Sequence, residues 1–202
     1  MLQRRKLEFN SCADVGCGAD LVTCILAEAF PDKKFQGFDP SKDAAQFWRQ
    51  NAAKNLTFCS GNFLEAQETF DLVLCFDVFE HVDDYIGFLR QLRERGSKFI
   101  FNVPLDIRVA KLLTGGLRFV REEVGHLDYF NAYSAIETLK YAGHEIEDCF
   151  LSAAFKHTIP WNFRQVLILA SRVLTSLLGD RLSALLTGGY SLVVLATREA
   201  YH

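Results

Sequence analysis

No two of the six cysteines form a Cys-x-x-Cys pair, so a zinc finger or ribbon is disfavoured. Charge of one sign is not in excess either. The formal net charge is −3, from 22 Lys+Arg against 25 Asp+Glu, so the chain as a whole is no polyanion binder and any basic patch must be local. Arg4-Arg5-Lys6 is too small to carry nucleic-acid binding and reads as a solvated terminus. No apolar run is long enough for a transmembrane helix. The longest uncharged stretch, Leu182 to Thr197, falls short of about 18 residues and is split by Gly188-Gly189. Met1 to Phe9 is charged and no apolar segment follows it, so no signal peptide is expected. The cysteines then read as reduced, buried, small hydrophobes of a cytoplasmic protein. Repeats, low-complexity tracts and linkers are also missing. What is present is a 202-residue chain, 50% apolar and 23% charged, with 18 Phe against one Met. That composition excludes global disorder and predicts one folded domain, residues 1–202, with an aromatic-rich core.

The apolar pattern predicts alternating strands and helices. Strands are expected at Ser11–Val15, Phe35–Phe38, Leu56–Cys59, Phe70–Phe76 and Lys98–Val103, and later at His144–Leu151 and Tyr190–Thr197. Helices are expected at Leu21–Phe30, from an N-cap at Ser41 to about Ala53, at Asp83–Arg95 and at Ala132–Tyr141. Strand and helix alternate four times before the fifth strand, which argues for a parallel sheet with helices on both faces. Leu105–Asn131 reads as a partly helical loop. Phe163–Leu178 reads as an amphipathic helix within a helical insert near 160–187, expected to pack on the sheet, the alternatives being a lid or an exposed apolar side that meets a lipid-linked or aromatic acceptor. Its arginines, Arg164 and Arg172, and the later Arg181 do not share one face, so a basic membrane-surface stripe is not expected.

Two features suggest a nucleoside ligand. Asp14-Val15-Gly16-Cys17-Gly18-Ala19-Asp20 lies between a strand and a helix, where glycines admit a ligand close to the backbone and the helix offers free N–H groups. Leu21 stands where a dinucleotide-binding Gly-x-Gly-x-x-Gly needs its third glycine, which weakens a nucleotide-dependent oxidoreductase. Asp39, followed by Pro40, ends the second strand 23 positions after Gly16, suitably placed to accept from ribose hydroxyls. The alternative for Asp39 is a surface turn acid before proline.

With Ser60-Gly61-Asn62-Phe63, Phe70 to Val82 (FDLVLCFDVFEHV) and Tyr141-Ala142-Gly143-His144 added, the chain resembles the class I S-adenosylmethionine (SAM)-dependent methyltransferases from about Cys12 onward. The resemblance implies a Rossmann-like, doubly wound α/β sheet of seven strands in the order 3-2-1-4-5-7-6, with strand 7 antiparallel and helices on both faces. It also implies SAM as cofactor. Asp14 would support the methionine end, Gly16, Cys17 and Gly18 would approach it, and Asp39 with Pro40 would hold the ribose. Asn62 and Phe63 would lie at the adenine, and Phe76 near the sulfonium. Asp20 replaces a usual third glycine, and its carboxylate is expected to weaken cofactor affinity. Asn62 replaces a usual Asp and can still accept through its amide oxygen.

On the acceptor side, Asp77, Glu80 and His81 follow the fourth strand and His126 the fifth, so they are expected to converge at the sheet's carboxyl edge. They resemble the Glu-x-x-Glu-His plus distant His that binds metal in ubiquinone-pathway and small-RNA methyltransferases. Asp77 is one methylene shorter than the Glu of that motif. Mg²⁺ on Asp77, Glu80, His81 and His126 is therefore kept as the less favoured reading. In the preferred one, His81, His126 and Glu80 serve catalysis without metal, an imidazole acting as general base. The expected reaction is methyl transfer to a small-molecule, glycan or lipid-linked acceptor at oxygen. The alternative is a non-catalytic methyltransferase-like binding domain.

Overall fold

The computed structural model describes residues 1–19, 21–51, 53–157 and 159–198, and among these the apolar runs form one seven-stranded sheet. A helical turn α1 (Leu2–Arg5) leads to β1 (Ser11–Val15), α2 (Leu21–Ala29), β2 (Lys34–Asp39), α3 (Ala45–Asn51) and β3 (Leu56–Ser60). Then come β4 (Phe70–Phe76), α4 (Tyr85–Arg93), β5 (Gly96–Pro104), α5 (Val109–Leu113), α6 (Gly116–Phe119) and α7 (Ala132–Tyr141). β6 (His144–Ser152), α8 (Phe163–Ser176), α9 (Asp180–Leu186) and β7 (Ser191–Arg198) come last. The order across the sheet is β3-β2-β1-β4-β5-β7-β6. Strand pairs from β3 to β5 are parallel, and β7 runs antiparallel to both β5 and β6. The sheet is thus the Rossmann-like one that the resemblance implies.

Alternation along the central strands divides the core into two layers. On β4, Leu72 and Leu74 face the layer that holds Phe9, Phe35 and Ile100, while Val73 and Cys75 face the layer of Phe38, Phe79, Phe99 and Phe101. Each such fully buried side chain contributes roughly 1.5–3 kcal/mol of transfer free energy. Local caps fix the helix ends beside this core. Asp84 accepts from Gly87 N at 2.9 Å to start α4, and Asn131 with Ser134 forms a reciprocal capping box on α7.

Several expectations need correction. The link from β3 to β4 is not a helix but a single 3-10 turn, Phe63–Glu65, capped by Asn62. Ser41 does not cap α3: its hydroxyl accepts from Ala44 N at 3.4 Å in a preceding turn, and the helix begins at Ala45. The basic N-terminus is not merely solvated, because Arg4 and Arg5 both clamp Asp148 on β6 and hold its carboxyl down at about 2. Cys149 is exposed, unlike the buried Cys12, Cys24 and Cys75.

The largest departure is α8. It buries no residue, and its apolar stripe turns to solvent, with Phe163 and Leu177 about four-fifths exposed (77% and 78%). Its polar side faces inward, where Thr175 Oγ1 meets Ser183 Oγ at 2.8 Å and Thr187 Oγ1 at 2.9 Å. The helix packs one apolar residue, the partly buried Leu169, against the core, while the rest of its stripe faces solvent. It is pinned by hydroxyls to α9, which was not foreseen as a separate helix.

Candidate active site

The turn after β1 is shaped by its glycines. Gly16 and Gly18 have φ of +72° and +54°, a left-handed backbone that glycine adopts without the Cβ clash of other residues. The N–H groups of Gly16 and Cys17 both donate to Phe38 O, at 2.8 and 3.1 Å, tying the turn to the end of β2. A Cβ on Gly16 would fall 2.5 Å from Val78, so glycine is needed to let the segment after β4 cross the turn. A Cβ on Gly18 would meet nothing within 4 Å, so this glycine borders open space. Asp14 is buried and accepts from Thr23 at the start of α2.

Asp39 joins two loops. One carboxylate oxygen accepts from Gly18 N at 2.8 Å and the other from Ser41 N at 2.8 Å. Each oxygen retains a lone-pair direction, so ribose hydroxyls can still be accepted. Pro40 beside it is exposed, and Cys17 points its sulfur into the space left by the absent Cβ of Gly37. Trp48 went unnoticed in the sequence. Its indole N–H donates to Gly18 O at 3.0 Å while its ring stacks on Phe58 at 5.2 Å, so α3 fixes the far side of the turn.

The expected adenine end is only partly present. Asn62 is exposed, but its amide oxygen already caps Leu64 N at 3.1 Å. The Phe63 ring is in the core, 4.9 Å from the Phe38 ring and 2% exposed, so only its main chain can reach a ligand. Phe76, half-buried, ends β4. Asp20 lies outside the described residues.

Glu80, His81 and His126 do converge. Glu80 and His81 sit on a 3-10 turn, Phe79–His81, after β4. Glu80 O accepts from Leu127 N at 2.7 Å and Asp128 N at 3.2 Å, which draws the loop carrying His126 against this turn. The two imidazole rings meet edge to face at 4.7 Å, and one ligand atom from each of the three residues lies within 4.8 Å of the others. Asp77 is not part of this group. It has φ +53° and accepts from Asn102 Nδ2 at 2.8 Å.

A further carboxylate orients the histidines. Asp106, buried just past β5, accepts from His126 Nδ1 at 2.6 Å and pairs through its other oxygen with Lys111. His81 Nδ1 lies 3.1 Å from Gly125 O, which fixes it as the protonated nitrogen. In the neutral form of each ring, Nε2 is then the nitrogen without a proton. The signal for Asp106 was an acid just after Pro104, at the carboxyl end of a central strand. Glu80 is fully buried, and neither carboxyl oxygen has a hydrogen-bond partner among the described residues. Burial first, then the like charges of Asp77 and Asp106, pushes it up to about 8. A mainly apolar cavity of about 750 Å³ lies between α7, β6 and α9, lined in part by Leu105 and Ile107, the residues on either side of Asp106.

Comparison with known proteins places these features. The methyltransferase-domain family profile matches residues 2–148. No curated protein sequence matches the chain. Among solved structures, magnesium protoporphyrin IX methyltransferase from Synechocystis PCC 6803, with bound S-adenosylhomocysteine (SAH), superposes with a TM-score of 0.62 at 16% identity, over 98% of this chain and 78% of that one. The N-methyltransferase NodS of Bradyrhizobium japonicum WM9, also with SAH, gives 0.63 at 13% identity, over 98% and 83%. Mitomycin 7-O-methyltransferase gives 0.62 at 17% identity, over 95% of this chain and 49% of that one. At these identities the structures speak to the fold, and the acceptor atom differs among them.

Proposed function

Because the chain belongs to the methyltransferase-domain family, whose class I members use SAM as cofactor, we propose that it methylates a hydroxyl oxygen of a small-molecule or lipid-linked acceptor, with His126 as general base. The observation that carries this reading is the Asp106–His126 pair, whose imidazole meets that of His81, three residues after the Val78 that crosses Gly16.

The residues present suit the cofactor. Gly18 borders open space at the carboxyl edge, and Asp39 keeps acceptor capacity there for ribose hydroxyls. Asp14 and Phe76 would flank the methionine end, and Asn62 with the main chain of Phe63 the adenine. When bound, SAM supplies an activated methyl group on a sulfonium, so alignment supplies most of the rate. His126 Nε2 takes the acceptor's hydroxyl proton. Asp106 holds the tautomer that leaves Nε2 free and stabilises the imidazolium that forms. His81 orients the acceptor from the adjoining ring. Glu80, neutral at pH 7, is available to donate a hydrogen bond.

One observation favours a second reading, in which a divalent cation such as Mg²⁺ joins Glu80, His81 and His126. Two carboxyl oxygens with no hydrogen-bond partner among the described residues, fully buried beside two imidazoles, form a donor set that suits a divalent cation. Both readings are tested by supplying methyl-labelled SAM with hydroxyl, amine and thiol acceptors, with and without Mg²⁺ and chelator. Labelled ether product that persists in chelator supports His126 as base. Product that requires Mg²⁺ supports the cation. Label found only on amines or thiols contradicts oxygen methylation.

A further inference from the structure

Beyond the histidine pair lies a group of cations with too few anions. Arg108, at the start of α5, and Arg172, on the inward side of α8, lie over two adjacent glycines. A Cβ on Gly188 would collide with the Arg108 side chain, and one on Gly189 would fall 2.8 Å from Arg172 Nε. Both glycines have left-handed φ, +71° and +86°, so the turn before β7 is built to admit two guanidinium groups at close quarters. The Nε of each arginine is enclosed without a partner, and neither guanidinium makes a hydrogen bond or ion pair among the described residues. Arg172 rests instead on the Phe155 ring, 5.9 Å from its centroid. Burial lowers the pKa of both, and Arg172 lowers that of Arg108 further. Lys111 extends the cluster. Its nearest acid, Asp106, is already divided between Lys111 and His126. Half-buried guanidinium groups that repel one another, with the charge of Asp106 near Arg108 but no carboxylate hydrogen-bonded to either, favour an outside anion, and their planar N–H forks suit phosphate oxygens.

The surrounding surface narrows the class of anion. Residues 106–123 contain Arg108, Lys111, Arg118 and Arg121 against Asp106, Glu122 and Glu123, with Asp106 paired to Lys111 and Glu122 to Arg118. Residues 159–187 contain Arg164, Arg172 and Arg181 against Asp180 alone, in a chain whose net charge is −3. Large apolar side chains of these two segments are exposed, among them Leu113 of α5, Leu174 of α8, Leu177 just after it and Trp161 just before it. Exposed leucines and a tryptophan around a cationic centre match an anionic lipid surface in both shape and charge. The cations come from two segments rather than from one helix, which is why no single-helix stripe was visible in the sequence.

We propose that Arg108, Lys111 and Arg172 bind the phosphate-class head group of an anionic lipid, with the outward apolar faces of α5 and α8 lying in the lipid surface. Asp106 connects this site to His126, so a hydroxyl borne by the bound lipid is presented to the base. That last role rests on the methyl-transfer reading, whereas the lipid binding does not.

The test is co-sedimentation of the full chain with phosphatidylcholine vesicles, with or without phosphatidic acid, in the absence of SAM. Inorganic phosphate serves as competitor. The chain is expected to sediment with the anionic vesicles only, and millimolar phosphate to weaken that binding. Arg108→Gln with Arg172→Gln is expected to reduce binding about thirty-fold, at about fivefold per cation. Trp161→Ser with Leu177→Ser, both at exposed positions, is expected to release the chain without changing its melting temperature. Equal binding to both vesicle types, or undiminished binding by the double arginine variant, would overturn the site. Phosphate binding without vesicle binding would overturn the lipid as occupant. SAH titration of the same samples keeps the two readings apart, since failure to bind SAH counts against methyl transfer and leaves the vesicle result standing.

Discussion

Asp39 and Glu80 are both buried carboxylates at the carboxyl ends of parallel strands, Asp39 the last residue of β2 and Glu80 four residues past β4, yet their surroundings are opposite. Both oxygens of Asp39 hold backbone N–H groups, from Gly18 and Ser41. Both oxygens of Glu80 are without a partner, and its pKa is pushed up to about 8. The same contrast separates the two halves of the molecule. On the cofactor side, Gly16, Cys17, Gly18, Asp39 and Trp48 are tied to one another, and the turn stands ready-made. On the proposed acceptor side, Glu80, Arg108 and Arg172 keep polar atoms with no partner among the described residues, and α8 turns most of its apolar stripe outward. A site that recognises a ligand shared by a whole family can be completed by the chain itself. A site that recognises its own acceptor leaves groups for that acceptor to satisfy.

The most severe way to break the contrast is at the base. Asp106→Asn and His126→Gln are each expected to lower kcat by about 10²–10⁴-fold while SAH affinity stays near that of the parent. Turnover by initial rates and SAH affinity by calorimetry check this, and a parallel loss of SAH affinity would place His126 in the cofactor half instead. Packing comes next. Leu72→Ala, in the sheet core, is expected to cost roughly 2–5 kcal/mol, whereas Leu174→Ala on α8 is expected to stay within about 0.5 kcal/mol. Urea denaturation of the two variants measures the difference directly.

Glu80 gives the pH test. Its folded pKa of about 8 is raised from an ordinary 4.5, so the folded chain holds a proton that the unfolded chain has released. The stability from this group is full below pH 4.5 and is lost as pH rises through about 8. Glu80→Gln is expected to remove that slope and to be the more stable protein at pH 9, by roughly 1–3 kcal/mol. Melting temperatures across pH 5–9, on the order of the window those values define, give the comparison. Mg²⁺ that abolishes the slope in the parent would support the cation reading. The smallest effect belongs to Trp48→Phe, which keeps the ring on Phe58 and loses the bond to Gly18 O. The expected cost is about 1 kcal/mol, with a modest weakening of SAH binding seen by the same titration.

The contrast also explains what the sequence revealed. The runs of β1 and β4 were read to the residue, because a strand buried on both faces is bounded by the ends of its apolar run. The glycine turn and Asp39 were readable because their spacing follows from one strand–turn–helix unit. Asp106 and Trp48 were missed because each acts through a partner distant in sequence, His126 in one case and Gly18 in the other. The amphipathic pattern of α8 was read correctly, but its direction was not. Periodicity identifies an apolar face without saying whether protein covers it. Arg108 and Arg172 stand 64 positions apart, and only the Gly188–Gly189 turn brings them together.

The most direct measurement is calorimetric titration of the chain and of Asp39→Ala with SAH. The account predicts saturable, roughly one-to-one micromolar binding by the parent and its loss in the variant, with the variant still folded by circular dichroism. Absence of saturable binding by the folded parent, or equal binding by both proteins, would contradict it.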